Sequence, residues 1–436
     1  MGQLNKIGPA EAAARRHPGE PGSQALDEAT RRALADFADF AKTSFTATAA
    51  RWDRENRFPS ENFALLAERG WLRIPISSSQ GGLGWGLHEN PVAWAAAVRA
   101  LSRACGNTGQ VFQIWGHCMS MLEELGTPEQ VERFTREAMQ GAIWCSGGSE
   151  PANYTQRRQV ASAAKVRATA ETTAKARTTF AHQVPGGVRV SGRKLFISNS
   201  TVADRFFIFA ELVRPDGSSG GLVHPVLRRG SPGLSVQPSW DAMGMRGTAS
   251  DDIVIEDVFV PEADVVGLHQ PNAYFTSILA GSFLVGRAAV YLGIGDAAFE
   301  FLVEYVRDKV KAGEDPVMQY RVAQLHMRRQ EASALLFRAA EAWQSALAGL
   351  SDPDECASFA AMAHVSVIEK VLQITSEALE LCGGRGMLRS APLERMHRDV
   401  RAYSVSPPTT SSSLVNIGSR LLAPSLEREE LVSEGV

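Results

Sequence analysis

The hydrophobic period changes twice along this 436-residue chain, and that change constrains its architecture more than any single motif. From Asp27, apolar residues recur three and four apart, at Leu34, Phe37, Ala41 and Phe45, with Phe63, Leu66 and Trp71 following. That spacing puts them on one face of a helix, and helices are expected to about residue 140. Between about 141 and 265 the period falls to two, as in Val188-Arg-Val190, Lys194-Leu-Phe-Ile197, Arg205-Phe-Phe-Ile-Phe209 and Ile253-Val-Ile-Glu-Asp-Val-Phe-Val260. β-Branched and aromatic residues alternating between Gly and Pro read as an antiparallel sheet. From about 272 helical spacing returns, through 303–310, 322–340 and Val365, Ile368, Leu372 and Leu379, with Gly383-Gly384 as a stop. The expected plan is α+β: helices over 26–140, a β domain over 141–265 and a helical bundle over 266–436.

Residues 1–25 hold almost no large apolar side chains and read as a disordered tail. An Ala/Thr/Lys/Arg-rich stretch within 160–185 reads as a helix or an excursion on the β domain. A net charge of -3 gives no reason to expect nucleic acid or an anionic membrane as partner. Five scattered cysteines without a CxxC pair fit a reducing cytoplasm. The apolar run at 278–285 is too short to span a bilayer and meets Arg287, so a soluble chain is expected. Metal-ligand spacing and a strand-linked GxGxxG are both absent, so neither a metal nor bound NAD(P)H is expected.

A series of short motifs then falls in one order. Phe58-Pro59, Leu66-Ala-Glu-Arg-Gly70-Trp71, Gln80-Gly-Gly-Leu-Gly84 and Leu125-Gly-Thr-Pro-Glu-Gln130 come first. Ser149-Glu150-Pro151, Gly192-Arg-Lys-Leu-Phe-Ile-Ser-Asn199, Gly244-Met-Arg-Gly247 and Asp257-Val-Phe-Val-Pro261 follow, then Gly383-Gly-Arg-Gly386 and Leu393-Glu-Arg-Met-His-Arg-Asp399. In this order they resemble the acyl-CoA dehydrogenases over roughly residues 27–422. The resemblance implies that family's fold: an N-terminal helical domain, a central antiparallel β domain and a C-terminal four-helix bundle.

It also implies a flavin between the β domain and the C-terminal helices. Ser149 and Phe196-Ile197-Ser198 would face the isoalloxazine ring, with Trp144 and Thr409 among the cofactor contacts. Gly383 and Gly384 would let backbone approach the phosphate-bearing tail. The family's Arg-x-x-Phe-Gly is replaced by Lys309-Val-Lys-Ala312-Gly313, and a Lys neutralises phosphate without a bidentate fork, which leaves FAD and FMN both open.

One departure bears on the reaction. Dehydrogenases of this family carry their proton-abstracting Glu in Tyr-Glu-Gly-Thr, and the corresponding run here is Ser406-Pro407-Pro408-Thr409. Other members hold it on the helix before Leu-Ala-Gly, where this chain has Phe275 ahead of Leu279-Ala-Gly281. Neither Pro nor Phe can be a general base, and losing a positioned base costs ~10²–10⁴-fold. A branch of the same fold, the two-component monooxygenases acting on dibenzothiophene or amino sugars, dispenses with this Glu. Its members take reduced flavin from a separate NAD(P)H:flavin reductase and form a C4a-(hydro)peroxyflavin with O2.

By that resemblance, His117, Ser149 and Ser406 are the catalytic candidates, and Trp115, His117, Phe275 and Ser406 line the small-molecule substrate. Trp115 equally reads as core, and Arg246 as structural. His397 and Asp399, two residues apart, do not share a helix face and make no dyad. A homotetramer is the family's usual assembly. Three functions stay open: a flavin monooxygenase in secondary metabolism or degradation, an atypical thioester dehydrogenase or oxidase, and a silent ligand-binding homologue.

Overall fold

The computed structural model describes residues 25–151, 178–276, 279–309, 315–406 and 408–422. All but the last residue of the expected tail lies outside them, as does most of the Ala/Thr/Lys/Arg-rich stretch.

The N-terminal helices are α1 (Glu28–Phe45), α2 (Ala49–Glu55), α3 (Ser60–Glu68), α4 (Pro91–Ala104), α5 (Gly106–Leu125) and α6 (Pro128–Met139). Asp27 caps α1 by accepting from the Thr30 amide at 2.7 Å, and Phe37, Ala41 and Phe45 are its buried face. The Thr-Pro-Glu-Gln motif is a capping box: the Gln130 amide donates to Thr127 Oγ1 at 3.3 Å and the Thr127 amide to Gln130 Oε1 at 3.0 Å. Two otherwise unpaired amides are satisfied there, with Pro128 preset in the first turn.

Among the described residues nine strands follow: β1 (Trp144–Gly147), β2 (Phe180–Val184), β3 (Gly187–Ile197), β4 (Arg205–Ile208), β5 (Ala210–Val213), β6 (Ser219–Arg228), β7 (Leu234–Gln237), β8 (Asp251–Pro261) and β9 (Val265–Val266). Their order is β1-β4-β6-β5-β2-β3-β8-β7, with β9 on β6. The expectation of an antiparallel sheet needs correction, because β1 pairs β4 and β2 pairs β5 in parallel, making the sheet mixed. Alternation of side chains is the same in both pairings, so the sequence period could not distinguish them. β2 also takes up the end of the stretch expected as helix or excursion.

β3 and β8 pair antiparallel through Val188↔Val260 and Val190↔Val258, with shifts of register before Gly192 and before Ile197. The second shift throws Phe196 into left-handed backbone, φ 57°. Bulges of this kind commonly re-aim a side chain beside a site.

The C-terminal helices are α7 (Ala273–Thr276), α8 (Leu279–Lys309), α9 (Pro316–Leu347), α10 (Pro353–Cys382), α11 (Leu393–Val405) and α12 (Thr410–Leu422). The long α8, α9 and α10 run up, down and up. Over Gly281–Asp308, α8 is apolar and long enough to cross a membrane by composition, but it is the core helix here, with 83% of its apolar window buried. One continuous core joins α1–α6 to α8–α10, and a second fills the sheet.

Two buried carboxylates tie the parts together. Asp296 on α8, 1% exposed, accepts from Arg99 Nε of α4 and Arg329 Nε of α9, each at 2.6 Å. The two guanidiniums hold its carboxyl below the usual range against the cost of burial. Asp399 on α11 accepts from the Met245 amide at 2.6 Å, which moors the loop before β8 to the bundle. Burial outweighs the nearby Arg395 charge and raises Asp399 to about 6.

Asp296→Ala would remove the shared carboxylate from buried Arg99 and half-buried Arg329 and should cost about 3 kcal/mol, read by denaturant unfolding. An unchanged midpoint would contradict the role assigned to it. Asp399 has the opposite sign. Its folded carboxyl holds a proton that the unfolded chain releases near its ordinary value, so its contribution is full below about pH 4 and is lost as pH rises through about 6. Asp399→Asn keeps the acceptor oxygen and removes the titration. Wild type should therefore lose on the order of 3 kcal/mol relative to that variant between about pH 4 and pH 7. Parallel pH profiles would contradict this.

Candidate active site

The segments that the sequence resemblance implies would face a flavin converge at the C-terminal end of β3. The Leu195 amide donates to the Ser149 carbonyl at 3.0 Å, so the segment after β1 runs alongside Phe196-Ile197-Ser198. A buried ion pair fixes this contact. Lys194 Nζ lies 2.5 Å from Glu150 Oε1 and 2.6 Å from the Phe209 carbonyl, and its side chain is 0% exposed. Glu150 Oε2 accepts from the Thr178 amide at 2.6 Å. Both residues sit inside motifs read from the sequence, but their pairing across 44 positions left no signal there.

At the bulge, Phe196 is 46% exposed in strained left-handed backbone, its amide held by Asp252 Oδ1 at 3.2 Å and its ring edge-on to Trp240. An exposed aromatic kept in a conformation costing about 1–3 kcal/mol points to a surface that binds something flat. Beside it the hydroxyls form a chain: Ser198 to Ser250 at 2.9 Å, Ser250 to Thr248 at 2.7 Å, and Thr248 to the Met245 carbonyl at 2.8 Å. An open apolar ring flanked by small hydroxyls and backbone amides is the donor set that a flavin ring requires. These residues fit the implied cofactor.

The loop carrying Met245 is braced from three sides. The Gly247 amide donates to Asn107 Oδ1 of α5 at 2.9 Å, Asp399 holds the Met245 amide, and Trp240 Nε1 donates to the Met245 carbonyl at 2.8 Å. Arg246 donates to the Asp53 carbonyl and to Asp241 and Ala242, so it is a brace of this loop. Arg398 forks onto Asp53 at 2.8–2.9 Å. Asn199 Nδ2 bridges the carbonyls of Val111 on α5 and Trp144 on β1 at 3.1 and 2.9 Å. Asn199 ends a motif quoted from the sequence but was given no role there, and Asn107 was not singled out.

His117, on the same helix as Val111, is buried against Phe283 with ring centroids 4.6 Å apart. Desolvation first, and the His88 charge second, push its pKa down to about 3, so the ring is neutral at physiological pH. Its Nδ1 has no hydrogen-bond partner among the described residues.

Other candidate side chains are engaged elsewhere. Trp115 is fully buried, donates to the Ala142 carbonyl at 3.0 Å and stacks on Phe112. Trp144 meets Phe134 edge-on in the core, and Ile197 is a buried member of the sheet core. These three belong to the packing that supports the site rather than to an open face. Ser406 donates to the Ala402 carbonyl at 2.7 Å, which closes the end of α11, and Thr409 caps α12 by accepting from the Ser412 amide at 3.2 Å. Gly383 takes φ 60° at the end of α10, and a Cβ on Gly384 would meet only open space. His397 pairs with Thr375 at 3.2 Å while Asp399 serves Met245, so the two point to different partners. Pro407 and the side chains of Phe275 and Lys309 lie outside the described residues.

Among the described residues, five buried carboxylates near these elements are engaged. Glu150 has Lys194, Asp252 has Arg193 at 2.8 Å, Asp251 holds the Ser239 and Trp240 amides, Asp296 has two arginines and Asp399 the Met245 amide. Each is committed to holding the fold.

Comparison with known proteins agrees with this geometry. Residues 27–142, 167–258 and 276–421 match the N-terminal, middle and C-terminal domains of acyl-CoA dehydrogenase. The short-chain specific acyl-CoA dehydrogenase of Clostridium acetobutylicum is 26% identical over 389 residues, 88% of this chain and 95% of that one. KijD3, solved with FMN and a dTDP-linked amino sugar, superposes with a TM-score of 0.77 at 25% identity, over 93% of this chain and 96% of that one. The dibenzothiophene monooxygenase TdsC from a Paenibacillus species gives 0.76 at 22% identity, over 90% and 97%. With the three domain matches in order along the chain, this chain belongs to the acyl-CoA dehydrogenase superfamily and is a flavin oxidoreductase of that fold.

Proposed function

We propose that this protein is a flavin-dependent monooxygenase that uses reduced flavin and O2 to oxygenate a small molecule. What supports this reading is the sequence at the two positions where the resemblance implies a general base. Pro407 and Phe275 stand where family dehydrogenases hold their Glu, and the buried carboxylates near the site are committed to cations or amides. Removing an α proton needs a free, positioned carboxylate. Oxygen transfer needs shielding from water and hydrogen-bond donors.

The bound reduced flavin would supply two electrons to O2, one oxygen atom passing to the substrate and the other leaving as water. Phe196 would carry the ring on its exposed face, with Ser198 and the Ser149 segment along its polar edge. His117, held neutral, would offer a hydrogen bond from the substrate side. Electrons would come from NAD(P)H through a separate flavin reductase. KijD3, solved with FMN and an amino sugar, supports this reading, and FAD remains equally compatible with the residues here. A homotetramer is part of the proposal, since Met387, Leu388, Val405, Leu414, Val415 and Leu422 leave an apolar surface exposed at the end of the bundle.

The curated relatives favour the second reading, a thioester dehydrogenase. Anaerobic addition of butyryl-CoA to protein loaded with oxidised flavin separates the two. The oxygenase reading predicts that the flavin band does not bleach, or bleaches at least ~10²-fold more slowly than a base-containing relative under the same conditions. Rapid, complete bleaching would establish the dehydrogenase instead.

A further inference from the structure

The two helical domains do not close fully on each other. Where α1, α2 and α4 meet α8 and the turn before α11, they leave a cavity of about 530 Å³. Each helix brings a side chain too short to fill it: Ala38 from α1, Ala50 from α2, Ala100 and Ala104 from α4 and Ala297 from α8, with Phe301 one turn further along. A space of this size is in the range that holds a small molecule. None of Ser149, Phe196 and Ser198 lines it, so it is separate from the candidate flavin surface.

The charges around this cavity do not balance. Glu300 is held by Arg103 at 2.7 Å, and Asp53 and Glu394 by Arg398, itself outside the lining, at 2.8 and 2.7 Å. Lys42, Arg54, Arg389 and Arg395 make no ion pair or side-chain hydrogen bond among the described residues. Against these four cations the lining sets two further carboxylates, Asp39 and Glu304. Arg395 also acts on Asp399, one turn on along α11, from beyond ion-pair distance.

A lone arginine on open surface is satisfied by water and signifies nothing. Cations set around one apolar hollow differ in two respects. The apolar wall displaces water and so strengthens their attraction for a bound charge. A guanidinium also presents planar paired donors that match a carboxylate or a phosphate. We propose that this cavity is a second binding site, taking a small organic anion whose carboxylate or phosphate meets Arg54 and Arg389 while its apolar body lies against the alanines and Phe301. The site does not depend on the reaction proposed above, and its test stands or falls separately.

Isothermal titration calorimetry of the full chain with 2-naphthoate, 2-naphthyl phosphate and neutral 2-naphthol reads both halves of the proposal. At least one anion should bind with a dissociation constant below ~1 mM, and 2-naphthol at least ~10-fold more weakly. The better anion of the two identifies the head group. Arg54→Gln combined with Arg389→Gln, both at exposed positions, should weaken anion binding by ~10-fold or more, and Ala297→Phe, which fills the hollow, should abolish it. Phe196→Ala, which trims the candidate flavin surface, should leave it unchanged. No binding of either anion, equal binding of 2-naphthol, wild-type affinity in the double arginine variant, or loss of binding in Phe196→Ala would overturn the proposal.

Discussion

The short hydrogen bond from the Met245 amide to Asp399 is the contact on which the site's geometry depends. Met245 and Ala249 both hold left-handed backbone, φ 52° and 47°, conformations that cost non-glycine residues about 1–3 kcal/mol. The loop keeps this shape because each part of the fold grips it: α5 through Asn107, the bundle through Asp399 and the sheet through the Ser250 and Ser198 hydroxyls. A shift of any of these would move Thr248, Ser250 and Ser198 together. Two helical bodies and one sheet are thus locked together around this loop.

That arrangement is also compatible with the proposed function, in which the chain keeps a surface for the flavin and does without proton abstraction. Its buried carboxylates are structural: Asp296 neutralises two arginines, Glu150 a lysine, and Asp399 a backbone amide. None is free to become a base without loosening the frame. The helical interior also holds buried neutral polar groups, Gln113 and His117 on α5 and, separately, His364 on α10. Chemistry that relies on orientation and hydrogen bonding suits such an interior better than chemistry that relies on a buried negative charge.

Much of this was legible in the sequence because it is local. Helix spacing at Phe37, Ala41 and Phe45, the Thr127–Gln130 box and the alternation in β3 and β8 are all set by neighbours within a few residues. Motifs such as Ser149-Glu150-Pro151 and Phe196-Ile197-Ser198 are likewise local, and the fold places them side by side. Strand direction was misread, since parallel and antiparallel partners alternate alike. The long-range pairings were out of reach: Lys194 with Glu150, Asn199 with Val111 and Trp144, Asp399 with Met245. Burial likewise separated Trp115 and Trp144, which pack, from Phe196, which lies open, although all three are aromatic residues in apolar surroundings.

The measurement that tests the central claim most directly is stopped-flow absorbance of the protein with anaerobically reduced FMN or FAD, mixed with oxygenated buffer. The account predicts that the protein binds reduced flavin and that the oxidised-flavin band appears only after a lag far longer than in free solution. Immediate reoxidation without a lag, or no binding of reduced flavin at all, would contradict it.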